Sequence, residues 1–269
     1  MTNSYASIAD LKGALGITST TDDTVMRKIL ESASRAIDNY TNRFFYCKTQ
    51  TRYFDGGVPL FVDDLLSVTT LKTDEDGDAT FENTFAATDY ILYPLNKFPK
   101  TGIQLSVNSD YGTFGISTKG CEIAALWGYG DGISATPYVT DTTITEDLTA
   151  GESAIDVTAV TNLAAGNTIL IGSEQYYIYS ISTLTLTVEP GVNGTTQATH
   201  SSGATIYIYQ YPADIRQACI DLGAAIYQNR AKRGLSSERL GDYTYTLEKG
   251  YVNSLLDDSI YSYRKLWYR

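Results

Sequence analysis

Few side chains in this sequence have the type and spacing for acid–base or metal chemistry. His200 is the only histidine among 269 residues, and its sequence neighbours include Thr199 and Ser201 but no cysteine, second histidine or paired acid. That setting is typical of a polar turn residue, not of a general base or a metal ligand. The GxSxG, Walker A, HExxH and GxGxxG patterns are absent as well. We therefore expect a protein that is not an enzyme and has no catalytic residue.

The carboxylates offer two candidate sites, and both have the wrong spacing. The acids of residues 74–78 alternate like a calcium loop, but Gly77 comes too early and the later glutamate is missing. Asp63 and Asp64 are adjacent, so on a strand their side chains point to opposite faces and cannot share one substrate. We expect a solvated turn at 74–78, the end of a strand at Asp63 and Asp64, and no metal or cofactor.

Tyrosine is the remaining chemical signal. The chain has 22 tyrosines, and pairs such as Tyr177 and Tyr179, or Tyr207 and Tyr209, alternate along predicted strands and so share one face. Such a face can stack on sugar rings, although tyrosine is also an ordinary strand residue. A binding module for host glycans therefore stays open as an alternative function.

Helices that could position these groups are predicted near both ends of the sequence. Ser7 caps the first, which ends at Gly16, and the second begins at Asp22 and Asp23. The apolar stripe of the second helix has three- and four-residue spacing, which leaves its charged residues solvated. The stripe consists of Val25, Ile29, Ala33, Ile37, Tyr40 and Phe44, and the solvated residues are Arg27, Lys28, Glu31 and Asp38. A third helix is predicted over 212–234 and a short fourth over 251–256.

Short β-branched and aromatic runs separated by turn residues predict strands between the helices. In the first half of the chain they are residues 49–54, 60–62, 68–71, 90–93, 103–107 and 121–127. Further along they are residues 155–157, 168–171, 175–181, 184–188 and 205–209. The predicted fold class is α+β, with a helical core, a small sheet or hairpin, and an inserted all-β domain built as a small sandwich or barrel.

A break in charge supports the insertion. Lys and Arg are absent between Lys119 and Arg216, and residues 139–210 contain seven acids and no base. Helical patterning resumes only at 212, and the early helices need a partner for their apolar faces. The predicted organisation is a core in two parts, 1–138 and 211–269, separated by an acidic β domain over 139–210.

Net charge and hydropathy exclude other classes of protein. A formal charge of −11 and a pI of about 4.5 make specific binding to duplex DNA a poor candidate function. No run approaches the roughly 18 apolar residues of a membrane span, and the first residues lack the basic and apolar segments of a signal peptide. We expect a protein made in the cytoplasm that does not bind membranes.

Four stretches outside the insert resemble the head-tail connector, adaptor or head-completion proteins of tailed bacteriophages. Residues 29–46 look like that family's helix ending in an arginine and aromatics, and residues 71–78 with 89–92 look like its hairpin. The sequence WGYGD at 127–131 is followed closely, in the family, by a helix start such as PADI, which here begins at Pro212. Residues 237–247 are similar to the family's glycine- and tyrosine-containing link. Within the insert, residues 166–174, 188–200 and 203–204 resemble a small β module of phage structural proteins.

The resemblance implies a virion structural protein at the neck, assembled in the host cytoplasm. Its partners would be further copies in a ring of twelve, the portal protein and the next neck or tail protein. Viral DNA would pass through the ring during packaging and ejection without specific binding, and an acidic lumen would repel its phosphates. The insert would project outward. A stopper or tail-completion protein and an acid-dependent hydrolase remain alternatives.

The last nine residues of the sequence combine aromatic and basic side chains. Such residues are enriched at the energetic centres of protein interfaces, and the resemblance implies that this segment docks into the portal ring. The alternative is that the segment packs back on its own helices. The predicted partner-binding residues are Tyr261, Tyr263, Arg264, Lys265, Leu266, Trp267, Tyr268 and Arg269.

Overall fold

The computed structural model describes residues 3–115, 117–230, 237–240, 243–246, 256–257 and 259–265. Within these residues the chain forms three α-helices, two six-stranded antiparallel sheets and a two-stranded ladder. The predicted α+β fold class is confirmed. None of the described helices is long and apolar enough to cross a bilayer.

The three helices pack together around a shared apolar core. Helix α1 spans Ile8–Leu15, begins with a capping box from Ser7 and ends at a left-handed Gly16, as its sequence predicts. Helix α2 spans Asp23–Thr41, and α3 spans Ala213–Gln228. Because α3 ends at Gln228, it is shorter than predicted. The predicted helix over 251–256 lies almost entirely outside the described residues.

The buried face of α2 differs from the predicted stripe. Val25 is 43% exposed, whereas Met26 and Leu30 are fully buried. Both α1 and α3 pack against α2, so the buried stripe widens to the side that holds Met26 and Leu30. Lys28 is exposed as predicted, but Arg27, Glu31 and Asp38 are half-buried. Their expected solvation is therefore wrong.

The first sheet is built from six strands in the order β1-β6-β2-β5-β4, with β3 paired to the far end of β2. The predicted runs 60–62 and 68–71 belong to one strand, β2. Register shifts in its pairing with β5 and β6 accommodate the residues between the two runs without ending the strand. Asp63 and Asp64 therefore lie inside β2 instead of ending a strand. The strands are β1 (Lys48–Phe54), β2 (Leu60–Thr73), β3 (Asn83–Phe85), β4 (Tyr90–Tyr93), β5 (Lys100–Leu105) and β6 (Cys121–Trp127).

The second sheet has the order β7-β12-β9-β10-β11-β8 and closes on itself. Ile144 and Val157, which follow its two edge strands directly, form an antiparallel bridge, and the Thr158 amide donates to the Thr143 carbonyl at 3.0 Å. The result is a small β-barrel around its own apolar core. Its strands are β7 (Tyr138–Thr143), β8 (Ala154–Asp156), β9 (Thr168–Ile171), β10 (Glu174–Ser182), β11 (Thr185–Glu189) and β12 (Thr205–Tyr209).

The remaining ladder joins β13 (Ser237–Leu240) to β14 (Tyr243–Thr246). A single turn of 3₁₀-helix over Tyr261–Tyr263 leads to Lys265, the last described residue. This turn lies against the carboxyl end of α2, because the Lys265 amide donates to the Thr41 carbonyl at 2.8 Å.

Candidate protein interfaces

Main-chain hydrogen bonds hold the segment 261–265 against the end of α2. Besides the bond from Lys265 to Thr41, the Arg43 Nε donates to the Tyr263 carbonyl at 2.7 Å. Asn42, in the left-handed conformation that ends α2, donates from Nδ2 to the Lys265 carbonyl at 3.4 Å. The segment thus provides hydrogen-bond partners for the Thr41 carbonyl and the Arg43 guanidinium. Backbone carbonyls at the end of a helix lack partners within the helix.

Ion pairs from strand β2 complete this attachment. Asp63 accepts from Lys265 Nζ at 3.0 Å through one oxygen and from Arg52 Nη1 at 2.8 Å through the other. The adjacent Asp64 is buried and pairs with Arg43 Nη1 at 2.6 Å. The two carboxylates therefore hold different cations, which is consistent with neighbouring side chains on opposite faces of a strand.

Aromatic rings fix the side chain of Tyr263. Its ring lies 5.6 Å from that of Phe45 and 5.4 Å from that of Tyr129, measured between centroids and near perpendicular in both cases. Burial, with the nearby Asp214 carboxylate, raises the pKa of the Tyr263 hydroxyl to about 12. Tyr261 is 59% exposed, and Arg264 is exposed above the ring of Tyr40.

The predicted partner-binding segment is thus divided. Residues 261–265 pack back on the helices and β2, the alternative considered for this segment. Leu266, Trp267, Tyr268 and Arg269 lie outside the described residues, so docking to a partner stays a prediction. Sequence reasoning missed the roles of Arg43, Asp63 and Asp64, because it weighed the two aspartates as a carboxylate pair and as the end of a strand, and spacing along the chain does not pair them with Arg43 or Lys265.

A second group of contacts joins the β-barrel to the helices and the first sheet. Asn193 donates to Gln175 Oε1 at 2.9 Å, and Gln175 donates to the Cys47 carbonyl at 3.2 Å. Asn3 donates to Asn193 Oδ1 at 2.9 Å and accepts from Arg35 at 2.6 Å. Asn3, Gln175 and Asn193 are at most 4% exposed, so this chain of hydrogen bonds is an interior feature. We call it the barrel junction.

Tyrosines extend the barrel junction. Tyr209 donates to the Phe45 carbonyl at 2.7 Å, and Tyr177 contacts Ser4 Oγ at 3.3 Å. Both tyrosines and Tyr176 are buried, and burial raises the pKa of Tyr209 well above its usual range. Of the tyrosines that could form a sugar-binding platform, the alternative left open above, Tyr177 and Tyr209 are buried: Tyr177 contacts Ser4, and Tyr209 packs with Cys47 and Leu66.

An acid on α2 belongs to the same interior. Asp38 accepts a short hydrogen bond from the Tyr5 hydroxyl and pairs with Arg35 Nε at 3.2 Å. Burial raises the pKa of the Asp38 carboxyl to about 6, although Arg35 and Tyr5 act in the opposite direction. Tyr5 also accepts from the Phe45 amide at 3.0 Å, so Asp38 is linked to the start of the first sheet.

His200 is not the solvated turn residue that its neighbours suggest. Its side chain is 7% exposed, and Nε2 lies 3.0 Å from Oε2 of the fully buried Glu174. The same oxygen accepts from the Tyr176 hydroxyl and the Ala198 amide. A buried glutamate of the barrel needs these donors, and residues 139–210 contain no lysine or arginine to supply them. The pair joins β10 to the segment that precedes β12 inside the barrel.

In the acidic turn after β2, several carboxylates lie close enough together to bind a cation. Ligand atoms of Asp74, Asp76, Asp78 and Glu82 lie within 4.8 Å of one another. Asp74 is buried, however, and its two oxygens accept from the amides of Gly77 and Ala79. These bonds organise the turn itself.

Comparison with known protein families identifies the first part of the chain. The model of the phage gp6-like head-tail connector protein family matches residues 5–81, which contain α1, α2, β1, β2 and the acidic turn. No curated protein matches the chain with significance. The resemblance predicted from the sequence is confirmed over the matched residues, whereas that of the barrel to a phage β module stays a prediction. Residues 5–81 are thus similar to the phage gp6-like head-tail connector family, and this similarity supports a structural role at a phage head-tail junction.

Proposed function

We propose that the chain is the adaptor that forms a ring beneath the portal and joins the capsid to the neck or tail. The observation that carries this proposal is the family match over residues 5–81, which include helix α2, the helix whose carboxyl end holds residues 261–265. A family segment and the predicted partner-binding segment therefore form one physical unit.

An adaptor through which DNA passes must surround a channel, and a ring of subunits does so. Each subunit would offer two different faces, and such heterologous contacts close into a ring when the rotation between subunits divides a full turn. We propose twelve copies, as the resemblance implies. A weak contact from each of the terminal segments would add up to durable attachment, because linked contacts bind with high effective concentration.

Leu266 and Trp267 suit an apolar slot, and Arg269 suits a carboxylate at its edge. The portal surface proposed here therefore combines apolar pockets with acidic groups. The negative charge of the whole chain suits a channel through which DNA passes without sticking. The acidic β-barrel would lie on the outside of the ring, where it contacts neighbouring capsid or tail proteins.

Co-sedimentation with purified portal rings of the same phage tests the proposal. The full chain should sediment with the portal, and a chain ending at Lys265 should lose most of the bound fraction. Negative-stain class averages of the bound complex should show a ring with twelve copies. If the chain did not bind the portal but bound a purified tail or an assembled neck, the result would contradict the adaptor assignment. It would favour a stopper or tail-completion protein.

A further inference from the structure

The two edges of the first sheet differ in how they are covered. At the β1 edge the barrel comes so close that a β-carbon added at Gly194 would lie 2.7 Å from the Thr49 carbonyl oxygen. The next carbonyl, that of Gln50, accepts from Trp127 Nε1 at 2.7 Å. Strand β4 forms the opposite edge, and among the described residues it pairs only with β5. The structure therefore leaves the outer edge of β4 without a neighbouring strand.

The hydrogen bonds between β4 and β5 show which main-chain groups face this edge. The Ser106 amide donates to the Asp89 carbonyl at 2.8 Å, where the pairing of the two strands begins. Because the bonds of an antiparallel pair alternate, every second residue from Asp89 onward faces β5. The residues between them, Tyr90 and Leu92, direct their N–H and C=O groups away from β5. Two donors and two acceptors with the spacing of a strand thus face outward, and a further strand can bond all four.

The sequence of β4 does not protect this edge. Edge strands of natural proteins commonly carry charged side chains, proline or a bulge, each of which hinders pairing with another chain. Strand β4 reads Tyr-Ile-Leu-Tyr and has no charged side chain, and its pairing with β5 has no register shift. A regular and uncharged edge is suited to accept a strand.

Apolar side chains lie beside this edge on the outer face of the sheet. Residues opposite each other in a sheet share a face, so Phe61 and Tyr93, which both lie opposite Gly102, point to the same side. Ile91, two positions before Tyr93, points there too. Phe61 is 75% exposed and Ile91 is 39% exposed. We call Phe61, Ile91 and Tyr93 the β4 shelf.

A buried lysine holds the turn that follows β4. Lys100 is 6% exposed, and its Nζ donates to the carbonyls of Pro94 and Leu95 at 2.7 and 2.8 Å. A buried ammonium group is costly without such partners, so these bonds fix the turn. The turn presents the exposed side chain of Leu95 next to the end of β4. A partner therefore meets a surface that is already ordered, which lowers the entropic cost of binding.

The size of the surface indicates its occupant. A four-residue edge is about 13 Å long, whereas a stable contact between two folded subunits buries about 800 Å² on each. A second folded copy would be held weakly there, while a single extended segment needs only the edge and the shelf. We propose that β4 and the β4 shelf dock an extended, uncharged peptide segment of another protein, with an apolar side chain at every second position. The segment adds to the first sheet as a further strand.

Fluorescence anisotropy with the full chain tests this site. The probes are overlapping short synthetic peptides that cover the capsid, neck and tail proteins of the parent virion, and an uncharged peptide with alternating apolar residues should bind. Ile91→Lys should weaken its binding about tenfold or more, because the added charge loses water when the strand docks. Ile133→Lys is the matched control, since Ile133 is 82% exposed in the loop after β6.

Both substitutions are at exposed positions and should leave the melting temperature of the chain unchanged. If no peptide bound, or if Ile91→Lys and Ile133→Lys bound the peptide equally well, the inference would be overturned. The site does not involve the proposed portal contact, so either result would leave the adaptor function standing.

N-methylation of the bound peptide separates strand addition from side-chain packing alone. Methylating every second amide removes the donors along one edge of the peptide. One of the two alternating patterns should abolish binding, and the other should leave it nearly unchanged. Equal effects of both patterns would overturn strand addition. Sedimentation velocity of the full chain should show no dimer that Ile91→Lys dissociates, since such a dimer would place a second copy on β4 and would also overturn the inference.

Discussion

The barrel junction and the tail dock, by which we mean Arg43, Asp63 and Asp64 where they contact residues 261–265, join parts of the chain that lie far apart in sequence, but they do so by different means. At the junction, Asn193 and Gln175 are buried amides bonded to each other and to groups of the core. At the dock, Asp63 and Lys265 are partly exposed and form an ion pair beside main-chain hydrogen bonds. One connection is interior and the other lies at the surface.

This difference predicts that the barrel junction opens less readily than the tail dock. A buried polar network is costly to break, since each group that loses its partner stays away from water. A partly exposed ion pair contributes little to stability and can open without unfolding the domain. We therefore expect the barrel to stay attached to the rest of the chain under conditions in which residues 261–265 leave their dock.

The largest effect is expected at the centre of the junction. Asn193→Gly should lower the free energy of unfolding by about 2–4 kcal/mol, because Gln175 and Asn3 both lose a buried partner. Asn193 has a φ of 56°, which glycine adopts without strain. Urea denaturation measures the change. Asn162→Ala is the control, because it removes only an exposed hydrogen bond to Asp141 and should change stability little. If Asn193→Gly changed stability as little as this control, the junction would contribute little to stability.

The acid of the junction should make stability depend on pH. The pKa of Asp38 is raised to about 6 in the folded chain, above its unfolded value of 3.8. The folded state therefore binds a proton more tightly, which adds stability as the pH falls through 6 toward 4 and is lost as the pH rises through 6. Denaturation at several pH values should show that Asp38→Asn removes up to about 3 kcal/mol of this pH dependence.

The difference in pH dependence between Asp38→Asn and the parent protein gives the contribution of this carboxyl alone, because the other carboxylates are present in both. Asp10, whose pKa is lowered and which pairs with Arg216, is the comparison, and Asp10→Asn should change the pH dependence in the opposite direction. Parallel pH profiles for Asp38→Asn and the parent would mean that the Asp38 carboxyl is not buried as described.

A smaller effect is expected at the edge of the junction. Tyr209→Phe removes the hydroxyl that donates to Phe45 and contacts Cys47, and should cost about 1–2 kcal/mol of unfolding free energy. Thermal denaturation measures the change. Tyr207→Phe, on the same strand and half-buried, should leave stability nearly unchanged. Equal losses in both variants would argue against a specific role for the Tyr209 hydroxyl.

The smallest effect belongs to the tail dock. Asp63→Asn should change the free energy of unfolding by less than about 1 kcal/mol, because a partly exposed ion pair is weakened by solvent. Urea denaturation at low and at high salt measures the difference, which should shrink further at high salt. A loss as large as that of Asn193→Gly would erase the distinction between the two connections.

Local sequence patterns predicted most elements and few of the contacts. The capped helix ending at Gly16 and strands such as Cys121–Trp127 follow from neighbouring residues, so both were predictable. The buried face of α2 depends on how α1 and α3 pack against it, which spacing along one helix does not encode. His200 looked solvated for the same reason, since its partner Glu174 lies 26 positions away.

The candidate interface shows the same limit. The composition of the last nine residues pointed to a binding segment, and the resemblance pointed to the portal as its partner. Neither signal could pair Lys265 with Asp63, which lies 202 positions earlier. The adjacent aspartates were predicted to end a strand, but they lie inside β2 and pair with different cations.

Immunogold electron microscopy of the parent virions, with an antibody raised against residues 139–210, tests the central claim most directly. If the chain is a head-tail connector whose barrel lies outside the ring, label should cluster at the junction of head and tail. Virions broken at the neck are the control for a covered epitope. Label at the tail tip or fibres, with none at the neck in intact or broken particles, would contradict the account.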